Sequence, residues 1–415
     1  MKLVERHIIK DTNPNYNKLK ELSLLSCNLY NRALYVIRQH FFNKTNKNYD
    51  NDIASSIESK YLNYYDINRI LVDTKDKDYF SLPSNTSQET LKLVHRNFKS
   101  FFSLLEKKKN GTYKSTCNIP KYNKNGSGIL IYNVSTLSKS YLKRDKVKIP
   151  KTDIILDILH PNTAKQVRFI LRNGYFIYDV IYEKEPIEKK EDNGRYMSID
   201  IGVNNLATCT SNSIKSFVVN GRPIKSMNQY YNKKKSILQS DLTKQNKKHS
   251  SKKIDSLSLK RNNKIDWYMH NASSYIVNQL VSNDINTLVV GSNAGWKQDT
   301  DMGRKNNQNF VSIPFDKFKR QLRYKCELNG INYFETDESY TSKCSFFDNE
   351  SIERHDTYCG KREKRGLFVT KENHCINADI NGSLNILRKF LHVASNIIID
   401  ERSRGLVVSP NIVTF

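Results

Sequence analysis

The sequence predicts an α/β protein, with a mixed sheet and flanking helices in its second half, preceded by a helical region and a small β module. Three observations support this prediction. Strand-like and helix-like segments alternate after residue 195, which is typical of a sheet covered by helices. Before that point, segments of alternating hydrophobicity flank Asn173-Gly174, a two-residue hairpin signal. Nearer the N-terminus, apolar residues at three-to-four spacing indicate long helices.

The order of these segments defines the predicted domains. A charged stretch at 184–195, which contains Pro and Gly, marks the main boundary. After it we expect an α/β domain that carries a long helical pair and an irregular basic insert. The predicted regions are a β-barrel module (1–20 and 115–190), a helical region (21–114) and the α/β domain (191–415), with the helical pair at 223–282 and the insert at 340–376.

The charge of the chain is its strongest global property. Lys and Arg number 68 against 42 Asp and Glu, so the net charge is +26 and the pI is near 9.6. A charge of this size attracts polyanions, and nucleic acid is the first candidate. The alternative is a merely solvated basic surface. A hydrophobic content of 38% is low but still allows cores in a chain of 415 residues.

Secretion and membrane insertion are not expected. The opening MKLVERHIIK has no apolar segment of the kind that a secretory signal needs. No run of about 18 apolar residues occurs, so we expect no membrane-spanning helix and no membrane partner. Seven cysteines, an odd number, are scattered and do not form a disulfide pattern. We expect a cytoplasmic, nucleoid-associated protein of prokaryotic type.

Two aspartates are the first candidates for chemistry. Asp200 closes the apolar strand MSID and is followed by Ile201-Gly202. A charge at that point is costly unless it is paired or reaches solvent. Asp379, in NADIN, stands at the predicted start of a helix, where the helix dipole favours an acid. Taken singly, each is equally well read as a turn residue or a helix cap.

Together with the order of elements, these aspartates resemble an RNase H-like nuclease domain of the RuvC-like type. Such a sheet begins with three antiparallel strands, the first ending in Asp, and continues through a helix to a parallel fourth strand. A late helix supplies another Asp. In these nucleases the carboxylates hold two Mg²⁺ ions that bind the attacking and leaving oxygens of a phosphodiester.

Several motifs resemble the TnpB (OrfB) proteins of insertion sequences, which are related to compact type V CRISPR effectors. They are SIDIGVNNLAT, LVVGSNAGWKQ, ESYTSKCSF and INADINGSLNILRK. The resemblance implies a transposon-encoded, Mg²⁺-dependent DNA endonuclease whose partners are a guide RNA and a target double-stranded DNA. It also implies that the helical region recognises nucleic acid and that the β module is wedge-like. A nuclease-inactive, RNA-guided repressor and a compact type V effector are the alternatives.

One catalytic position departs from this family. Most members end the fourth strand with Glu, where this chain has Gly291. A subset carries Gly there and a Glu later, and Glu338 in ETDESYTSK is the matching candidate. We therefore predict Asp200, Glu338 and Asp379 as the catalytic, Mg²⁺-binding residues. Glu335 and Asp337 are alternatives to Glu338, and Gly291 could simply be a turn glycine.

A structural zinc is not expected. Many family members carry two Cys-x-x-Cys pairs, a spacing suited to tetrahedral zinc, between the second and third motifs. This chain has no Cys-x-x-Cys pair. The candidates for any such site would be Cys344, Cys359 and Cys375.

Basic clusters are the candidates for nucleic-acid contact. Residues 225–264 carry twelve Lys or Arg against two Asp, which favours contact with phosphate backbones. A second cluster lies on the β module, and one lysine follows the strand that ends at Gly291. The candidates are Lys143, Arg144, Lys233, Lys234, Lys235, Lys247, Lys248, Lys252, Lys253 and Lys297.

Overall fold

The chain forms two compact units, Met1–Lys184 and Glu185–Phe415. Each unit is described by itself. The computed structural model describes residues 1–46, 61–124, 126–245, 250–292, 304–364, 366–393 and 410–415.

The N-terminal unit contains an antiparallel sheet and a separate two-stranded ribbon. Its strands are β1 (Lys2–Ile9), β2 (Leu130–Asn133), β3 (Lys146–Lys148), β4 (Ile155–Asp157), β5 (Ala164–Arg172) and β6 (Tyr175–Glu183). The sheet order is β1-β6-β5-β2, and β3 pairs with β4. No pairing joins β1 to β2 among the described strands, so the predicted barrel is seen here as an open sheet beside a ribbon.

The hairpin predicted from Asn173-Gly174 is confirmed. These two residues connect β5 to β6 and have φ values of 49° and 81°. Positive φ at both central residues is the requirement of a type I′ turn, and Asn-Gly meets it at little steric cost.

Helices cover this sheet and share its core. They are α1 (Tyr16–Asn46), α2 (Tyr64–Asp73), α3 (Lys77–Phe80), α4 (Ser84–Lys109) and α5 (Lys139–Leu142). The long helices α1 and α4 pack against each other, and α4 also packs on β2. Leu19, Phe98 and Phe169 are fully buried in a single core that joins the helices to the strands.

The C-terminal unit is built on a six-stranded mixed sheet and a small three-stranded sheet. Its strands are β7 (Tyr196–Asp200), β8 (Asn205–Ser211), β9 (Phe217–Asn220), β10 (Thr287–Gly291), β11 (Asn332–Thr336), β12 (Lys361–Lys364), β13 (Leu367–Val369), β14 (Cys375–Asn377) and β15 (Asn411–Val413). The large sheet has the order β11-β10-β7-β8-β9-β15. β8 is antiparallel to β7 and β9, whereas β10 and β11 run parallel to β7. This confirms the predicted RNase H-like arrangement, to which β15 adds a strand parallel to β9.

Both faces of the large sheet are covered, so β10 is buried along its whole length. Leu288 and Val290 belong to one core, and Val289, whose side chain points the other way, belongs to a second core with Ile386.

None of the described helices is long and apolar enough to span a membrane. The helices of this unit are α6 (Arg222–Lys244), α7 (Lys252–Ser282), α8 (Arg304–Val311), α9 (Phe315–Leu328) and α10 (Ala378–Leu391).

Replacing Leu288 by Ala should destabilise the C-terminal unit. The side chain is fully buried, and its truncation leaves a cavity, so we expect the free energy of unfolding to fall by about 2–5 kcal/mol. Tryptophan fluorescence during urea unfolding reports this unit, because both tryptophans, Trp267 and Trp296, lie in it. The exposed Lys215→Gln is the control and should change stability by about 0.5 kcal/mol or less. An unchanged midpoint for Leu288→Ala would contradict this packing.

Candidate active site

Asp200 lies at the carboxyl end of β7, near the middle of the large sheet. An ideal Cβ at Gly382 of α10 would lie 2.9 Å from its Oδ2, so the glycine allows the helix to approach this closely. Burial, and then the like charges of Glu338 and Asp379, raises the pKa of Asp200 well above its ordinary value. Negative charge is therefore costly at this point, and a cation would relieve that cost.

Glu338 places its carboxylate where a side chain at position 291 would lie. Gly291 ends β10, one residue past the pairing of Val290 with Ile199, so it stands at the same sheet edge as Asp200. An ideal Cβ on Gly291 would lie 2.7 Å from Oε2 of Glu338 and 2.5 Å from Cδ1 of Ile386. Glycine at position 291 therefore leaves the space that this carboxylate occupies.

The chain reaches this point because β11 runs parallel to β10 and ends opposite it. Gly291 pairs with Thr336, and Glu338 follows two residues later. Burial, and then the neighbouring Asp337, raises the pKa of Glu338 to about 7, while the charge of Lys319 acts in the opposite direction.

Asp379 is held at the start of α10. The side chain of Asn377 caps this helix and accepts hydrogen bonds from the amides of Asp379 and Ile380. The Asp379 carboxylate accepts from Nδ2 of Asn205 at 2.7 Å and from the guanidinium of Arg362 at 3.2 Å. Asn205 begins β8, so Asp379 lies on the β8 side of Asp200. Glu338, next to Gly291, lies on the β10 side.

Three buried hydroxyls hold α10 against the sheet. Ser198 Oγ donates to the carbonyl of Ser383 at 2.7 Å, and Thr210 lies 2.8 Å from Ser198 and 2.9 Å from Ser383. These side chains are small, so the helix packs closely on β7 and β8 without leaving polar groups unpaired. The two aspartates are brought together as a result.

The two alternatives to Glu338 are occupied by ion pairs. Glu335 accepts hydrogen bonds from Lys319 at 3.0 Å and Arg323 at 2.6 Å. Asp337 accepts one from Lys389 at 2.8 Å. By contrast, the charge of Glu338 raises the pKa of Asp200.

Three cations lie beside the aspartates, and the sequence analysis named none of them as a candidate, although Lys225 begins its basic segment 225–264. A cavity of about 580 Å³ is lined by Asp200, Asp379, Arg222, Lys225 and Arg362. The only sequence signal was their positive charge, in NGRPIK and GKREKR, which says nothing about distance from the acids.

Across the described parts of the chain, no three His, Cys, Asp or Glu side chains are already grouped closely enough to hold an ion.

The three cysteine candidates differ in exposure. Cys344 is buried, and its Sγ donates to the carbonyl of Glu353 at 3.6 Å. Cys359 and Cys375 are exposed. Instead, the carboxylate of Glu350 accepts hydrogen bonds from the backbone amides of Ser345 and Cys359, both at 2.7 Å, and so links the two ends of this loop.

The basic candidates that the structure describes lie on two helices and in one turn. Lys143 and Arg144 are exposed directly after α5. On α6 and α7, an open groove of about 520 Å³ is lined by apolar residues and lysines, among them Tyr230, Lys234 and Lys253. Lys252 also lines this groove, and Lys233 is exposed nearby. Nζ of Lys235 lies 5.7 Å from the centre of the Tyr231 ring. Lys247, Lys248 and Lys297 lie outside the described residues.

The strand order thus defines an RNase H-like fold with three carboxylates around one edge of its sheet. Comparisons with known proteins narrow this class. A family model described as a probable transposase, OrfB_IS605, matches residues 179–297. A second, described as the Cas12f1-like TNB domain, matches residues 315–386. The TnpB-like protein ORF457 of Acidianus two-tailed virus is 22% identical over 426 residues, covering 91% of this chain and 84% of that protein. The chain is therefore a relative of the TnpB (OrfB) proteins, a group related to type V effectors.

Solved structures show more distant likenesses. The Cas12f1–sgRNA–target DNA complex is 14% identical, with a TM-score of 0.34, and the match covers 92% of this chain and 98% of that one. The mini-RNA-guided endonuclease CRISPR-Cas_phi3 is 11% identical, with a TM-score of 0.43, and the match covers 94% and 92%. The fold assignment rests on the strand order and not on these likenesses.

Glu338→Gln should stabilise the metal-free protein at pH 8. A pKa raised from 4.5 to about 7 means that the wild type loses stability as the pH rises through this interval, because the folded state must then hold a buried charge. The amide removes this cost, and we expect a gain of up to about 3 kcal/mol at pH 8 that vanishes near pH 4.5. Urea unfolding at both pH values measures it.

Glu335→Gln is the matched control and should act in the opposite direction. Burial favours a higher pKa for Glu335, but hydrogen bonds from Lys319, Tyr333 and Ser292 outweigh it and lower the pKa. Losing this carboxylate should destabilise the protein at pH 8, by about 1 kcal/mol or less because the ion pair is partly exposed. A loss of stability at pH 8 in Glu338→Gln as well would contradict the assigned burial of Glu338.

Proposed function

We propose that this protein is a transposon-encoded, RNA-guided endonuclease that hydrolyses phosphodiester bonds of target double-stranded DNA in a RuvC-like site with two Mg²⁺ ions. The observation that carries the proposal is the position of the Glu338 carboxylate, in the space that Gly291 leaves at the sheet edge of Asp200. The relation to the TnpB proteins supports the same function.

The residues at this edge suit a divalent cation. Their donors are carboxylate oxygens, the ligands that Mg²⁺ prefers. Burial and neighbouring carboxylates raise the pKa values of Asp200 and Glu338, so a bound cation would be strongly favoured there. Asp200, Glu338 and Asp379 would hold the ions. When bound, the metal pair would supply an activated water and would stabilise the leaving oxygen.

The chain itself would orient these acids and the substrate. Asn205 keeps one oxygen of Asp379 in place through its amide. Arg362 pairs with the other oxygen but is partly exposed, so its guanidinium can transfer to a phosphate oxygen of the DNA. The fully buried Ile386 closes the space behind Gly291 with an apolar wall.

The basic surfaces supply binding to the nucleic-acid partners. Lysines 233–235 on α6 and 252–253 on α7, with Lys143 and Arg144 on the N-terminal unit, would neutralise the phosphates of a guide RNA and its target. Pairing between guide and target strand would then supply the sequence specificity, while the protein recognises the duplex by its shape.

Two alternatives have one observation each in their favour. Gly291 would suit a repressor that has lost cleavage, but Asp200, Glu338 and Asp379 still gather near one edge. The match to the Cas12f1-like TNB domain would suit a compact type V effector, which would use the same chemistry. The DNA flanking the gene would separate a transposon nuclease from such an effector.

Glu338→Gln should abolish cleavage while binding to target DNA is retained. The protein purified with its guide RNA is incubated with a plasmid carrying the matched site, with Mg²⁺ or with EDTA. We expect the wild type to cut only with Mg²⁺ and the variant to cut at least a hundredfold more slowly, because a metal ligand is removed. Glu335→Gln, the matched control, should cut within a fewfold of the wild-type rate. No cutting by the wild type with Mg²⁺ would favour the repressor.

Gly291→Ala should slow cleavage through Glu338. The added methyl group would lie within 2.7 Å of Oε2 of Glu338 and must displace it. We expect at least a tenfold loss in the wild-type background and little further loss in the Glu338→Gln background, since the displaced ligand is already disabled. Equal losses in both backgrounds, measured as single-turnover rates, would mean that Gly291 does not act through Glu338.

A further inference from the structure

We infer that the cavity between Asp200 and the start of α6 is a binding subsite for the nucleotide next to the scissile phosphate, and that Arg222 and Lys225 bind the phosphate of that nucleotide. This inference rests on the proposed nuclease function. It assigns residues that hold the DNA strand in place beside the acids.

The start of α6 is fixed relative to the loop that follows Asp200. The Gly221 amide donates to the carbonyl of Asn204 at 2.7 Å, and Nζ of Lys225 donates to Oδ1 of the same residue at 3.2 Å. An ideal Cβ at Gly221 would lie 2.4 Å from the carbonyl oxygen of Val203, so glycine is needed for this close approach. Arg222 and Lys225 are three residues apart on one helix and line the same cavity.

The charges around this cavity favour an anion. Arg362 is paired with Asp379, but among the described residues no carboxylate forms an ion pair with Arg222 or Lys225. Arg222 and Lys225 thus line the same cavity as the aspartates, and no described carboxylate forms an ion pair with either of them. A nucleic-acid strand carries a negative charge at every nucleotide, so a strand with one phosphate at the acids brings the next phosphate towards these cations.

The remaining wall fits the apolar part of a nucleotide. Ile201, Val203 and Phe310 line the cavity together with the polar residues. The volume of about 580 Å³ lies within the range of roughly 300–1,000 Å³ that is usual for small-ligand sites. An unpaired nucleotide fits such a space, and a duplex does not. The subsite would hold a phosphate and an apolar face, so it would position the strand without reading its sequence.

The test compares Arg222→Gln, Lys225→Gln and the double variant with the wild type, each as the full chain purified with its guide RNA. Lys215→Gln is the control. This exposed lysine follows Ser211, the end of β8 that pairs with Met197 and so lies at the far end of β7 from Asp200. Target binding is measured by gel shift, and cleavage by single-turnover rates over a range of salt concentrations, with the cut positions mapped at nucleotide resolution.

We expect the double variant to bind matched DNA within about twofold of the wild type, because base pairing dominates binding. Its cleavage should be roughly ten- to a hundredfold slower, as expected when charge-assisted hydrogen bonds to a phosphate are removed. The cut positions should spread. In a plot of log rate against log salt concentration, the slope should become shallower by about 1 for each phosphate that the protein no longer neutralises. Lys215→Gln should change none of these.

Failure of the subsite and failure of the proposed function are distinguishable. The wild type and the double variant could cut at the same rate and positions and with the same salt dependence. In that case the proposed subsite is wrong and the nuclease function stands. A parallel loss of target binding and cleavage would also overturn it, since these cations would then act in general binding.

If the wild type does not cut with Mg²⁺, the proposed function fails, and the subsite is tested by binding alone. The probe is a short, labelled single-stranded oligodeoxynucleotide, followed by fluorescence anisotropy. The double variant should bind it more weakly and with a shallower salt dependence than Lys215→Gln. Equal binding by the two variants would overturn the subsite.

Discussion

The crowding of carboxylates at one edge of a buried sheet is the constraint on which the rest of the C-terminal unit depends. Burial makes negative charge costly at Asp200 and Glu338, and the like charges of Glu338 and Asp379 add to that cost at Asp200. Other interactions must hold them there. The apolar cores on both faces of β10 and the hydroxyl contacts beneath α10 do so, because they fix the strands and the helix independently of the acids.

Under the proposed function, the same edge explains how a catalytic carboxylate could change its place in the chain. Two parallel neighbours, β10 and β11, end side by side, so a loop residue after one can reach the space beyond the other. The exchange requires glycine at the vacated position, because a Cβ at Gly291 would collide with both Glu338 and Ile386. A metal site needs oxygens at particular points in space, and different residues can supply them.

Charge is distributed on two scales in this chain. The net charge of +26 attracts a polyanion at long range and is screened by salt, and many of the described lysines are exposed. Within the cavity, by contrast, Arg222, Lys225 and Arg362 stand beside the acids. Under the proposed function, long-range attraction and local placement of phosphate would therefore be carried out by different residues.

The sequence by itself determined the local features of this protein: the order of strands and helices, the turn at Asn173-Gly174, and the aspartates that close β7 and begin α10. These follow from periodicity, turn chemistry and motifs within a few residues. Only the tertiary structure decided that the β module pairs as an open sheet, that the carboxylate of Glu338 fills the space at Gly291, and that Arg222 stands beside Asp200. Such placements join residues that are distant in the chain, and packing and strand register set their separations, which no local pattern encodes.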